Sequence, residues 1–235
     1  MQTFVTFVLI LAAMISTLAQ STTSKDDRFK LRNKVLSTAN QLLESSHVSY
    51  AYGGSKIGSI DECTACNSCL QEKKPSPKQR LTTCKACQKC SIDCSHFTAE
   101  VFKKSGLKAP YLTTDMMQNL SSKKLKSNFN LMSLGQRLER AMPGDLIVYE
   151  GHVVMVLALK PSRSPKQPIL ADIIHSTSGR EVKGAGQGIQ RARNVVLTDF
   201  KGPIKRILRH VSLSNELRKL AMKNQGVRRL DNAKP

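Results

Sequence analysis

Apolar residues fall at helical spacing in the first half of the chain and in short unbroken blocks in the second. Leu31, Val35, Ala39, Leu42 and Leu43 recur every three or four positions. This predicts a helix that starts near a cap at Asp26 or Asp27 and stops near Ser45. "VSYAYGG" alternates apolar and polar before a glycine pair, which predicts a strand or extended loop ending in a turn. Phe97, Val101 and Phe102 share one face of a second helix, and Gly106 stands where its C-terminus needs left-handed geometry. The Ser-, Lys- and Asn-rich stretch after "TTDMMQNL" predicts a loop between short helices. "AMPGDLIVYE", "GHVVMVLAL" and "ADIIHSTS" then predict three successive strands. A Pro-Gly turn introduces the first, and "KPSRSPKQP" links the second to the third. "GPIKRILRHVSL" predicts one more strand. From Ser212 an amphipathic helix is expected on Leu213, Leu217 and Leu220, with a disordered basic tail beyond Gly226. Helices first and antiparallel strands after is an α+β layout.

The first twenty residues, "MQTFVTFVLILAAMISTLAQ", change the setting of this domain. They form one apolar run bounded by the small residues Thr17 and Ala19, the pattern of a signal peptide cleaved after Ala19. The run is shorter than the ~18 to 20 strongly apolar residues of a spanning helix, and an uncleaved anchor is the rival expectation. Hydrophobic residues make up 40% of the 235 and charged residues 23%, enough apolar content for one packed domain. The net charge of +20 would suit nucleic acid, but the cations are spread from Lys25 to Lys234 without aromatic interleaving or a nucleic-acid motif. For an exported chain an anionic wall polymer or membrane surface is the expected partner, and a merely solubilising positive surface is the alternative.

Export also governs the seven cysteines, because disulfides persist outside the cytosol. Six stand in two copies of Cys-x-Ala-Cys-x-x-Cys: Cys63, Cys66 and Cys69, then Cys84, Cys87 and Cys90. They lie in a Lys-, Pro-, Ser- and Thr-rich stretch that reads as an insertion of about residues 60–91. Three disulfides, in any of 15 pairings, are the expected framework. Two Cys-x-x-Cys hooks holding Zn²⁺ are the alternative, and thiol exchange is a third.

Cys94 is left outside that pattern. It opens the second helix, where unpaired backbone N–H groups and the helix dipole favour a thiolate. Asp93 before it is placed to cap the helix, and the N–H of Ser95 after it to stabilise an oxyanion. A nucleophilic thiol needs a base, and a further polar group to orient that base. Of the five histidines, His47 and His210 carry no local signal and are expected at the surface or an interface. His96, two residues on, points away from the face of the thiol. His152 and His175 each sit at a strand edge, where adjacent antiparallel strands would bring both rings to one end of the sheet. A Cys94–His152–His175 triad follows, against the alternative of ordinary strand histidines.

In order, "YAYGG", "DCSHF", "PGDLIVYEGHVVMVL" and "IIHSTS" resemble the signature series of the NlpC-type cell-wall peptidases, papain-like cysteine hydrolases. The resemblance covers roughly Leu31 to Leu197, interrupted by the cysteine-rich insertion. It implies a papain-like fold over 29–211, after a signal peptide at 1–19 and a linker at 20–28, with a basic extension at 212–235. It implies Cys94 as nucleophile, His152 as general base and acid, and His175 as the residue orienting the imidazole. Tyr50, Asp93, Ser95 and His96 are then the substrate-binding set. The implied substrate is the peptide stem of peptidoglycan, cut at an amide bond by a monomer without metal or cofactor. The alternatives are an acyltransferase, amidase or lipid hydrolase on the same fold, and a non-catalytic cysteine-rich binding protein. His96 departs from the family, which places a glycine there, and the insertion is a larger departure, expected to act as a lid, specificity loop or docking site.

Overall fold

The computed structural model describes residues 29–45, 47–160, 168–179 and 187–214. The expected signal peptide and linker, the "PSRSPKQ" part of the strand connection and the basic tail beyond Ser214 lie outside the described residues. Helices and an antiparallel sheet build the chain, an α+β fold.

Helix α1 occupies 29–45, and its apolar stripe buries Val35, Ala39 and Leu42. The segment after it makes no strand. It runs extended beside β2 (Ser91–Ile92), with a single bridge from Ser49 to Ser91, and then turns at the glycine pair into β1 (Ser55–Lys56). Both glycines are required there. Gly53 has φ +79° and its N–H donates to Asp93 Oδ2 at 3.2 Å. A Cβ on Gly54 would sit 2.8 Å from the Ser91 backbone.

The cysteine-rich insertion is more ordered than its composition suggests. It forms α2 (Ile60–Lys73), α3 (Arg80–Thr83) and a 3₁₀ turn at Lys85–Gln88. A Ser59/Glu62 capping box starts α2. Three nested disulfides, Cys63–Cys90, Cys66–Cys87 and Cys69–Cys84, join α2 to the returning chain with Cα separations of 4.9, 4.6 and 5.8 Å. Cys66, Cys84 and Cys87 are themselves the small core of this unit, with Leu70. These distances fit the expected disulfide framework. The ladder points to an oxidising environment. Among the described residues no helix is long and apolar enough to cross a membrane.

Helix α4 (Cys94–Lys104) follows β2 directly. Next come α5 (Thr114–Asn119) and α6 (Ser122–Phe129). The second of these replaces the expected loop: Ser121 caps it, Asn130 ends it in the left-handed region, and it buries only Leu125. Two apolar residues, Leu125 and the partly buried Phe129, are too few to show a period among the polar ones.

The sheet comprises β3 (Leu131–Ser133), β4 (Leu146–Tyr149), β5 (His152–Lys160), β6 (Leu170–Thr177), β7 (Gly188–Val196) and β8 (Arg206–His210), in the order β3-β8-β4-β5-β6-β7, all antiparallel. One face packs Leu146, Val148, Val153, Met155 and Leu208 against α1 and α4. The other buries Ile147, Tyr149, Val154, Val156 and Ile173 under Leu134, Leu197 and Ile204. Central strands covered on both faces read as continuous apolar blocks, as β4 and β5 do. Val211–Leu213 form a 3₁₀ turn where an amphipathic helix was expected to begin. Leu213 is buried, and Arg32 of α1 donates to its carbonyl at 3.0 Å.

An ion pair lies inside this core. Arg209 of β8 holds Asp145 with two bonds, Nε to Oδ1 at 2.8 Å and Nη2 to Oδ2 at 2.7 Å, and both residues are inaccessible to solvent. Burial pushes the Asp145 carboxyl up despite these bonds, so the charge depends on its partner. Arg209→Ala is expected to cost about 3–5 kcal/mol by stranding that carboxylate, measured by chemical denaturation. A loss below ~1 kcal/mol would show that the pair is dispensable.

Candidate active site

Asp93 shapes the turn that carries Cys94. It is the N-cap of α4, in extended conformation, and Oδ1 accepts the His96 backbone N–H at 2.8 Å and the Ser95 hydroxyl at 2.9 Å. The His96 ring adds Nδ1 at 3.1 Å from the same oxygen. Burial opposes the Asp93 charge, but the hydrogen bonds from the His96 ring and backbone outweigh it and hold the carboxyl below its usual range. The cap is therefore a fixed anion. Its peptide N–H donates to the Gly54 carbonyl at 2.9 Å, so the Tyr50 segment and the Cys94 turn are one unit. Tyr50 is half-buried, and its carbonyl accepts Arg80 Nη1 at 2.6 Å.

Cys94 is the one cysteine outside the ladder, and it is buried with 4% exposure. The backbone N–H groups of Val153 and Ser95 are directed at its sulfur. They do not produce a thiolate. Burial first, and the Asp93 charge second, push the thiol up to about 12. The expectation of a helix-activated thiolate is thus corrected: desolvation outweighs the backbone N–H groups of Val153 and Ser95, and Cys94 rests as a thiol.

His152 begins β5, one residue before the strand amide that faces the sulfur, and His175 lies in the neighbouring β6. Their rings meet edge to face with His152 Nε2 2.7 Å from His175 Nδ1. Both are buried, at 2% and 0% exposure. Burial, then the charges of His175 and Lys201, hold His152 well below the ordinary imidazole range, so it is neutral at physiological pH. The hydroxyl of Ser176, the next residue, donates to the Ile92 carbonyl at 2.7 Å, which ties β6 to the strand leading into Cys94. Helix α4, which opens with Cys94, packs on β5, which begins with His152, and on β6, which carries His175. His47 is exposed and remote from them. His210 is buried rather than at the surface, with Nε2 at 3.2 Å from the Lys108 carbonyl and Nδ1 accepting the Ser212 N–H.

Three neighbours carried no signal in the sequence. Phe200 packs on both imidazoles, with centroids 6.3 Å from His152 and 5.4 Å from His175. Lys201 beside it acts electrostatically on Cys94 and His152. Both come from the irregular "TDFKG" connection between β7 and β8. Tyr111 stacks on His96 at 3.8 Å with planes 17° apart, and its hydroxyl is 3.3 Å from Ser95 Oγ. A lone tyrosine after "KAP" offers no period or spacing to single it out.

A neutral thiol and a neutral imidazole set the pH behaviour. The competent state is lost when His152 gains a proton, and that happens only well below the ordinary imidazole pKa. Any Cys94-dependent activity is expected to hold from neutral pH down past 6.5 and to fall on a single acid limb below it, with no loss from thiol ionisation until about pH 12. Iodoacetamide at pH 7 should label Cys94 far more slowly than an exposed thiol. An acid limb centred above pH 6.5, or rapid labelling, would contradict this electrostatic balance.

No family model matches the chain, and searches of curated proteins and of solved structures return no significant match.

Proposed function

We propose that the protein is an exported cysteine hydrolase of the NlpC type, papain-like in fold, that cleaves amide bonds in the peptide stems of peptidoglycan. The observation that carries this proposal is the buried His152–His175 pair at 2.7 Å, set against the first turn of the helix that begins with the free thiol. A buried imidazole pair is costly unless its members act on each other or on a neighbour.

The bonding pattern supports a division of labour. His175 occupies Nε2 of His152, so Nδ1 is the nitrogen left to take the thiol proton. For that, Nε2 carries the hydrogen and donates it to His175 Nδ1, which fixes tautomer and ring plane. With the thiol protonated at rest, proton transfer to His152 accompanies attack of the sulfur on the carbonyl carbon. The developing oxyanion meets the N–H groups of the first turn of α4, at Cys94 and Ser95. His152 then returns its proton to the leaving amine, a thioester forms, and water activated by the same imidazole releases the acid and restores the thiol. The disulfide ladder supports an exported setting, and the excess of cations suits a wall polymer of opposite charge.

The experiment is incubation of the mature protein with purified peptidoglycan, beside His152→Ala, and mass analysis of the soluble fragments. Stem-peptide fragments from the wild type alone are the expected result. Equal release by both, or none from either with Cys94 reduced, would overturn the assignment.

A further inference from the structure

An open groove of about 520 Å³ runs from the nucleophile turn along the outer face of α4, opposite the 107–111 loop. This lies within the size range of small-ligand clefts. His96, Glu100 and Lys103 form its helical wall, Lys108 and Tyr111 the facing wall, and Ser55 of β1 closes one end. The groove borders the turn that carries Cys94, because the Tyr111 hydroxyl of its wall lies 3.3 Å from Ser95 Oγ, next to the thiol. Its two ends differ in chemistry. Near Cys94 it presents the stacked rings of His96 and Tyr111, flat and partly apolar, with Tyr111 40% exposed. At the far end it carries two lysines against one glutamate. That glutamate already lies 4.0 Å from Lys103 and 3.7 Å from Lys104, so the far end is electropositive.

Position along the helix sets a length. Lys103 is nine residues beyond Cys94, or about 14 Å at 1.5 Å per residue. An extended peptide covers that distance in about four residues. We propose that this groove is a subsite for a carboxylate-bearing end of a short peptide, with Lys103 and Lys108 holding the carboxylate and the His96–Tyr111 stack carrying the chain between it and the scissile bond. It rests on the hydrolase assignment above and narrows the substrate to peptides with a free acidic end. An amidated end would leave the lysines without their anion, and a longer chain would have to leave the groove past them.

Binding separates this proposal from catalysis. Two synthetic stem peptides, identical except for a free carboxylate or a carboxamide at the chain end, are titrated calorimetrically into the Cys94→Ala protein. The carboxylate peptide is expected to bind about tenfold more tightly, the scale of one charge-assisted contact at a partly exposed site. In Lys103→Ala/Lys108→Ala on the same background that preference should vanish, with affinity for the carboxamide peptide unchanged. Tyr111→Ala should weaken both peptides alike. Equal affinity of the two peptides for the parent, or a preference that survives loss of both lysines, would overturn the subsite. Cleavage by the wild-type protein is read separately: a groove that discriminates in a protein that cuts neither peptide would refute the hydrolase and leave the groove standing.

Discussion

Cys94→Ala is expected to abolish turnover of peptidoglycan stem peptides, a loss of four or more orders of magnitude in kcat/KM on the scale of nucleophile deletions in other hydrolases. Stability should change little. The side chain is small and buried, and alanine keeps the methylene while removing a sulfur that contributes no disulfide. His152→Ala should come close to the same loss, because a thiol pushed up to about 12 cannot attack without a base. That is a sharper requirement than in an enzyme whose thiolate is preformed. His175→Ala should cost less, roughly two orders of magnitude, since it removes the acceptor that fixes the tautomer and leaves the base present. A His152→Ala protein retaining a tenth of wild-type activity at neutral pH would mean that Cys94 ionises by another route.

The second large effect is expected at the disulfide nearest the thiol. Cys90 is followed by Ser91 and Ile92 of β2 and then by Asp93 and Cys94, so the Cys63–Cys90 bond anchors the strand that leads into Cys94. The insertion grips this region at further points. Ser91 donates to the Cys87 carbonyl at 2.6 Å, Arg80 to the Tyr50 carbonyl, and the Tyr52 N–H to the Pro77 carbonyl at 3.1 Å. Asn67 Nδ2 donates to the His47 carbonyl at 3.2 Å. The insertion thus splints the Tyr50 segment and the strand that leads into Cys94. Cys63→Ser/Cys90→Ser is expected to lose about 3 kcal/mol of stability and about a hundredfold in kcat/KM, the cost of a misplaced reacting group. Cys69→Ser/Cys84→Ser, at the far end of the ladder, should cost similar stability with far less activity. Denaturation curves beside kinetics on the two double variants decide it, and equal activity losses would reduce the insertion to a general stabiliser.

What was legible in the sequence was what burial on both faces makes periodic. Strands β4 and β5 carry uninterrupted apolar blocks, β6 a shorter one at Ile173–Ile174, and α1 and α4 carry stripes at three- and four-residue spacing. The edge strands β3 and β7 escaped because one side of each lacks a partner strand and their residues are only partly buried, so "GIQRARNVV" shows polar residues where alternation would be needed. The helical nature of the insertion lies in its cysteines, spaced three apart at Cys63, Cys66 and Cys69, which serve both as cross-links and as the apolar face of a helix. That spacing, repeated in reverse on the returning chain, is what produces a nested ladder among the 15 pairings.

At the candidate site, strand edges placed His152 and His175, and helix entry placed Cys94 and its cap. The ionisation state of the thiol was not legible. Position at a helix N-terminus is a local property, whereas burial by Val153 and the rest of the core comes from residues some sixty positions away in the chain. Phe200, Lys201 and Tyr111 were hidden for the same reason, each reaching the site from irregular chain whose path only the fold defines.

The central claim is that Cys94 carries the acyl group. The most direct measurement is the mass of the protein, and of its Cys94-containing proteolytic fragment, after acid quenching during turnover of a synthetic stem peptide. The expected result is a thioester adduct equal to the acyl half of the substrate on Cys94, absent from Cys94→Ala and from the His152→Ala protein under the same conditions. Turnover with no adduct on Cys94, or product formed at an undiminished rate by Cys94→Ala, would contradict the account.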